Sequence, residues 1–187
     1  MTRHAARYEG IAKRPLHVVQ GEHLVTDDPD AVLTTILGSC VAACMRDPVA
    51  GVGGMNHFLL PGGPKTGGSD ADSMRYGVHA MELLVNALLA HGAKRERLEC
   101  KLFGGGRLLK GLTDVGAMNA KFAEEFLARE KLAHVGGSLR GDSGRRIQYW
   151  PVSGRARQVF LDNREAFEAE TRLKPLPEPQ AGGVELF

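Results

Sequence analysis

Thr34-Thr35-Ile36-Leu37-Gly38-Ser39-Cys40-Val41-Ala42-Ala43-Cys44-Met45-Arg46-Asp47-Pro48, followed by Gly51-Val52-Gly53-Gly54-Met55-Asn56-His57-Phe58-Leu59-Leu60, is the most informative stretch of the chain. Val32 to Leu37 is rich in β-branched residues and predicts a strand, closed by the corner Gly38-Ser39-Cys40. Val41 to Met45 continues as apolar chain until Asp47-Pro48 signals a turn, and Gly51 to Leu60 then reads as a further strand. A hairpin about that turn lets His57, seventeen positions after Cys40, face the cysteine across the two strands. A thiol is a weak nucleophile until a base takes its proton, and a neighbouring imidazole is such a base. The glycine corner can present the sulfur together with main-chain N–H groups for an oxyanion.

Each residue also has a plainer reading. Cysteine is among the most buried residue types, so Cys40 on residue type alone reads as core, and His57 as a hydrogen-bonded strand residue. Cys44 and Cys100 read as packing. A zinc site from Cys40, Cys44 and His57 is a poor match to structural zinc spacing, and no metal or other cofactor is called for. Gly104-Gly105-Gly106 is not followed by the third glycine of a dinucleotide fingerprint nor by a phosphate-loop Lys, and reads instead as a close-approach strand end lining the site. Arg75-Tyr76-Gly77 at a helix start is a second stretch that can line it. The base needs an orienting partner, for which Thr34, Asn56 and a main-chain carbonyl all remain open.

Working outward, Leu16 to Gln20 predicts a short strand, and Leu98–Phe103, Ala133–Leu139, Arg146–Val152 and Ala156–Leu161 predict four more. Helices are expected over Ser73–His91, with Met74, Val78, Met81, Val85 and Leu88 in phase and Gly92 as the left-handed stop, and over Ala117–Leu132, with Phe122, Phe126 and Leu127 on one side. The fold class is therefore α+β: a single domain with a mostly antiparallel or mixed sheet core flanked by two long helices. Residues 1–15 are expected to form a flexible basic arm, 16–171 the domain, and 172–187 a Pro-rich flexible tail.

The chain has 187 residues and a net charge of +2, which gives no bulk electrostatic case for nucleic acid. Three cysteines cannot form a full set of disulfides, the first fifteen residues hold four basic side chains and no apolar stretch, and no apolar run reaches the length of a bilayer span. The expectation is a cytoplasmic protein with no direct membrane insertion, and a monomer, because no heptad seam is left over.

The stretches TTILGSCVAACMRDPVAGVGGMNHFLLPG (34–62), RYGVHAMELLVNALLAHGAKRERLECKLFGGG (75–106), VGAMNAKFAEEFL (115–127) and GGSLRGDSGRRIQYWPVSG (136–154) closely resemble the chemoreceptor glutamine deamidase family, CheD, of bacterial and archaeal chemotaxis. The resemblance implies an α+β fold similar in its catalytic centre to toxins that deamidate glutamine on small GTPases. It implies Cys40 as nucleophile, His57 as general base and Thr34 as third member; the residues themselves suggest Gly38, Ser39, Asn56, Arg75, Gly104 and Gly105 as the surrounding substrate and oxyanion neighbourhood. The implied reaction converts receptor glutamines to glutamate with loss of ammonia, and some members are credited with receptor methylester hydrolysis. The implied partners are chemoreceptor helices as substrate and a CheC-type phosphatase of the response regulator. Two other readings stand beside this one: another cysteine hydrolase using the same pair, and a non-catalytic or dual-role regulator that binds the phosphatase.

Overall fold

The computed structural model describes residues 15–61, 70–108, 114–162 and Glu168. The expected tail, the arm apart from Pro15, and the glycine-rich segment 62–69 lie outside the described residues. In chain order the elements are β1 (Leu16–His17), β2 (His23–Thr26), β3 (Leu33–Leu37), β4 (Val41–Asp47), β5 (Val52–Asn56), α1 (Asp70–Ala90), β6 (Glu99–Gly104), α2 (Val115–Arg129), β7 (Ala133–Leu139), β8 (Gly144–Trp150) and β9 (Arg155–Leu161). The expected α+β class holds, with two helices and mixed sheets. The strand expected over 16–20 shrinks to two residues, and β2 was not anticipated.

The strands form two sheets rather than one core sheet, ordered β1-β3-β8-β9 and β2-β5-β4-β6-β7. Pairing is antiparallel except for β1 with β3 and β6 with β7. Strand β4 explains the layering. Its alternate residues Val41, Ala43 and Met45 join a core with Met81, Leu84, Val85 and Leu88 of α1 and Phe122, Ala123 and Phe126 of α2. The residues between them, Ala42 and Cys44, join a second core with Leu33, Leu37, Ile147 and Tyr149 of the four-stranded sheet. A strand buried on both faces reads as a continuous apolar run, which is why Val41–Met45 shows no alternation. The five-stranded sheet is thus the middle layer, with helices on one side and the smaller sheet on the other.

Gly77 brings the helices together: a Cβ there would stand 2.6 Å from the Phe122 ring, so any larger residue would force α1 off α2. Gly92, at φ +92°, ends α1 as expected. The turn end of the β4–β5 hairpin is held by Asp47, which is fully buried. Its Oδ1 accepts from the N–H groups of Val49 (2.9 Å) and Ala50 (3.0 Å), and its Oδ2 from Lys94 N–H (2.8 Å) and from Arg97 (2.5 Å). Burial raises the Asp47 pKa, but the Arg97 bond and the three N–H groups outweigh it and hold the carboxyl well below its usual range. Among the described residues no helix is long and apolar enough to cross a membrane.

Candidate active site

Cys40 lies where the chain leaves the small sheet, after β3, and enters the middle sheet as β4. The pairings Cys44 with Met55 and Val41 with Phe58 set the hairpin register, which places Ala42 opposite His57. Side chains alternate across a strand, so Cys40 and His57 project to the same face as diagonal neighbours, roughly 7–8 Å apart at Cα and within reach of a long side chain. That face is the one between the two sheets, where Cys40, Ala42, Cys44 and Met55 all lie. Asn56 belongs to the other face. Its Oδ1 accepts from Ala43 N–H (2.9 Å) and its Nδ2 donates to Ala80 O of α1 (3.1 Å), so it ties the hairpin to a helix and does not orient His57.

The group that does orient His57 is Thr35. Its Oγ1 lies 2.8 Å from His57 Nδ1 and donates its only proton to Val18 O at 2.8 Å. With that proton given to Val18 O, the hydroxyl accepts from Nδ1–H, which puts the lone pair on Nε2. Thr34, implied by resemblance as the third member, instead donates to Ile147 O of β8 at 2.7 Å. The physical reason is parity: Leu33 and Leu37 face the inter-sheet core, Thr35 lies in phase with them, and Thr34 points the other way. Val18, whose carbonyl receives the Thr35 proton and lies 3.4 Å from His57 Nδ1, is a second member that sequence reading missed.

His57 is 4% exposed, and its Nε2 is buried with no hydrogen-bond partner among the described residues. Burial lowers its pKa to about 4, against the smaller opposing effect of the Val18 carbonyl, so the ring is neutral at pH 7. All three cysteines are buried thiols. Cys44, four residues along β4, is about 13 Å from Cys40 along the strand, so the two cysteines and His57 do not converge on one metal. Burial pushes the Cys44 and Cys100 thiols up, which makes both poor nucleophiles.

The corner itself is stitched by the glycines after β6. Gly105 N–H donates to Cys40 O (2.7 Å) and Gly106 N–H to Gly38 O (2.8 Å), so these groups build the corner and are not spare oxyanion donors. Gly104 has φ +105° and passes so close to the Cys40 carbonyl that a Cβ would clash with it. Ser39 is held by α2: Asn119 Nδ2 donates to Ser39 O (2.9 Å), while Asn119 Oδ1 accepts from Leu60 N–H (2.9 Å), just past His57. A polar Asn in phase with the apolar face of α2 was the available signal for this clamp. The Arg75 side chain is 81% exposed and paired with Asp72. Gln20 does approach the thiol, its Oε1 lying 3.4 Å from Cys40 Sγ.

A family model for CheD chemotactic sensory transduction matches residues 59–159. A curated relative from Acidiphilium cryptum is 60% identical over 100% of both chains. The chain belongs to the CheD family. CheD relatives from Agrobacterium fabrum and Rhizobium meliloti are each 56% identical, covering 96% and 94% of this chain and 99% and 97% of their own. All three relatives carry the name probable chemoreceptor glutamine deamidase CheD. The family-model match begins after His57, so the full-length CheD relatives are what span the Cys40 corner. Among solved structures, Bacillus licheniformis protein YfiH overlays 62% of this chain and 49% of its own at TM-score 0.40 and 14% identity, a likeness too slight to carry weight.

Proposed function

We propose that this chain deamidates glutamine side chains of chemoreceptors, with Cys40 as nucleophile, His57 as general base and Thr35 as the group that fixes the base. The observation that carries the chemistry is a neutral, buried imidazole whose Nδ1 is committed to Thr35 and whose unpartnered Nε2 shares a face with Cys40. A buried polar nitrogen without a partner is costly, and such groups collect where chemistry needs them. The names of the full-length relatives supply the substrate.

The steps balance as follows. His57 Nε2 takes the Cys40 proton while Sγ bonds to the carbon of the substrate amide, and the carbonyl electron pair moves onto oxygen. As the intermediate collapses, the C–N bond breaks, His57 returns the proton to nitrogen, and ammonia leaves a thioester on Cys40. Neutral His57 then takes a proton from water, hydroxide adds to the thioester, and the C–S bond breaks to give glutamate and the thiol. With Nδ1–H held by Thr35, the imidazole keeps the tautomer that serves both halves. Three buried thiols suit a reducing compartment, and we place the reaction in the cytoplasm on that ground. A CheC-type phosphatase partner and a monomeric state rest on the family resemblance and the sequence pattern.

The test is mass spectrometry of a chemoreceptor cytoplasmic fragment incubated with the protein. Wild type is expected to convert particular glutamines to glutamate, each adding about one mass unit, and Cys40→Ala to convert none. Conversion by Cys40→Ala at the wild-type rate would sink the assignment of the nucleophile. No conversion of any receptor from the same organism would leave the regulator reading in its place.

A further inference from the structure

Two side chains that this mechanism leaves idle lie at or next to the thiol, Gln20 on the sulfur and Tyr76 over the turn that follows Gln20. Cys40 Sγ–H donates to Gln20 Oε1 at 3.4 Å. The Tyr76 hydroxyl reaches over the adjoining Gly21, 3.8 Å from where a Cβ on that glycine would stand. Among the described residues the hydroxyl takes no hydrogen-bond partner, and Tyr76 is 37% exposed, so it stands between solvent and the Gly21 turn that follows Gln20. Burial, and after it the proximity of Cys40, raises the phenol pKa, which keeps its proton in place as a donor.

The backbone under this pair is fixed to the base. Gly21 N–H donates to His57 O at 2.7 Å, and His57 N–H donates to Glu22 O at 3.1 Å. The main chain that follows Gln20 is therefore fixed to the strand that carries His57, which anchors the root of the Gln20 side chain beside the thiol. Its place is that of a wall of the site.

We propose that Tyr76 and Gln20 form the subsite that receives the substrate's side-chain carboxamide, with the Tyr76 O–H donating to its oxygen as Cys40 attacks. The proposal rests on the deamidase reading of the site. When the Sγ–C bond forms and the carbonyl pair moves onto oxygen, the new oxyanion needs donors held in place beforehand, and tyrosine hydroxyls and side-chain amides are suitable ones. Gln20 suits both stages of the step. Its terminal torsion is soft and two-fold, so a half-turn replaces the oxygen that accepts from the thiol with an N–H that donates once the proton has gone to His57. Both groups are uncharged, so the wall takes an amide readily and has no cation to retain the carboxylate product.

Two readouts on Tyr76→Phe and Gln20→Leu test this. The first is ammonia release from a receptor cytoplasmic fragment. The second needs no receptor: the rate at which Cys40 is alkylated by iodoacetamide against iodoacetate, where an S–C bond forms, iodide leaves, and peptide mass identifies the labelled cysteine. Tyr76→Phe is expected to lower kcat about a hundredfold with little change in KM, the scale for one lost oxyanion donor. It is also expected to cut the iodoacetamide preference about tenfold, the scale of one hydrogen bond. Gln20→Leu is expected to lower both in the same direction. Unchanged kcat and unchanged preference in Tyr76→Phe would overturn the subsite. Faster turnover by Gln20→Leu would overturn it too, because Gln20 would then be a placeholder. If wild type releases no ammonia while Tyr76→Phe still loses the iodoacetamide preference, the carboxamide subsite stands and the deamidase reading falls.

Discussion

The two ends of the β4–β5 hairpin both bury polar groups, yet they do so in opposite ways. At the turn end, the Asp47 carboxylate accepts from three main-chain N–H groups and the Arg97 guanidinium, so both of its oxygens are engaged. At the open end, His57 has one ring nitrogen engaged by Thr35 and the other left without a partner among the described residues. Satisfied burial fixes a chain in place, whereas an unsatisfied buried nitrogen is an expense that folding alone does not explain. The contrast sets a fully engaged polar group at one end against a half-engaged one, on the face of Cys40, at the other, and it is at that second end that we propose the chemistry.

The sharpest way to break this contrast is to remove each polar group in turn. His57→Gln is expected to lower kcat by about a thousandfold, the middle of the range for a general base. The same variant is expected to gain stability in acid. The folded pKa is lowered to about 4 from the ordinary 6.5, so between those values the unfolded chain binds a proton that the folded chain does not. Wild type therefore loses stability as pH falls from about 6.5 towards 4, by about 3 kcal/mol in all, and His57→Gln lacks that loss. Urea unfolding at several pH values measures it. An unchanged slope in the variant would mean that His57 is not buried in its neutral form.

Asp47→Asn reverses the pattern. It leaves Arg97 without its carboxylate and is expected to cost about 3 kcal/mol of stability while turnover per folded molecule stays near wild type. The sign with pH is opposite in cause: the folded Asp47 pKa is depressed, so its contribution is present above the unfolded value near 4 and is lost as pH falls below it. The gap between wild type and Asp47→Asn in urea unfolding should accordingly narrow below about pH 4. A variant that loses activity but not stability would place Asp47 at the chemical end.

Thr35→Val and Thr34→Val sharpen the comparison within one strand. Thr35→Val removes the acceptor for His57 Nδ1–H and is expected to cost about tenfold in kcat, with the acid limb of the pH–rate profile displaced. Thr34→Val removes the hydroxyl bond to Ile147 O and is expected to cost about 1 kcal/mol in stability, with kcat unchanged. The opposite outcome would restore Thr34 to the role the resemblance implies.

This pair also shows what the sequence could and could not yield. The strand–corner–strand–turn–strand path from Leu33 to Asn56 was legible because Gly38, Asp47-Pro48 and the apolar runs are local signals, and the same holds for α1, with its terminator Gly92. Thr34 against Thr35 is a choice of face, which a one-residue slip inverts, and Ile36 blurs the alternation that Leu33 and Leu37 would otherwise display. The division into two sheets depends on the pairing of β3 with β8, strands separated by more than a hundred positions, and no local pattern encodes it. Gln20 was read as part of a strand because Leu16–Gln20 is apolar and β-branched. Its role depends on the Gly21 turn, at φ +87°, which brings the segment back over the thiol.

The smallest expected effect falls on Cys44, and it tests whether burial alone makes a cysteine chemical. Cys40 and Cys44 share a face of the same sheet and are equally buried, at 0% and 1% exposed. Cys44 lies in the apolar second core, with a thiol pushed up by burial, then by Cys100, against a weaker pull from Lys101. Cys40 has Gln20 on its sulfur and the imidazole on its face. Cys44→Ala is therefore expected to cost about 1 kcal/mol for the small cavity left behind and to leave kcat within about twofold of wild type. A large loss of turnover in Cys44→Ala, with the fold intact by circular dichroism, would mean that the second thiol enters the chemistry and that one cysteine does not suffice.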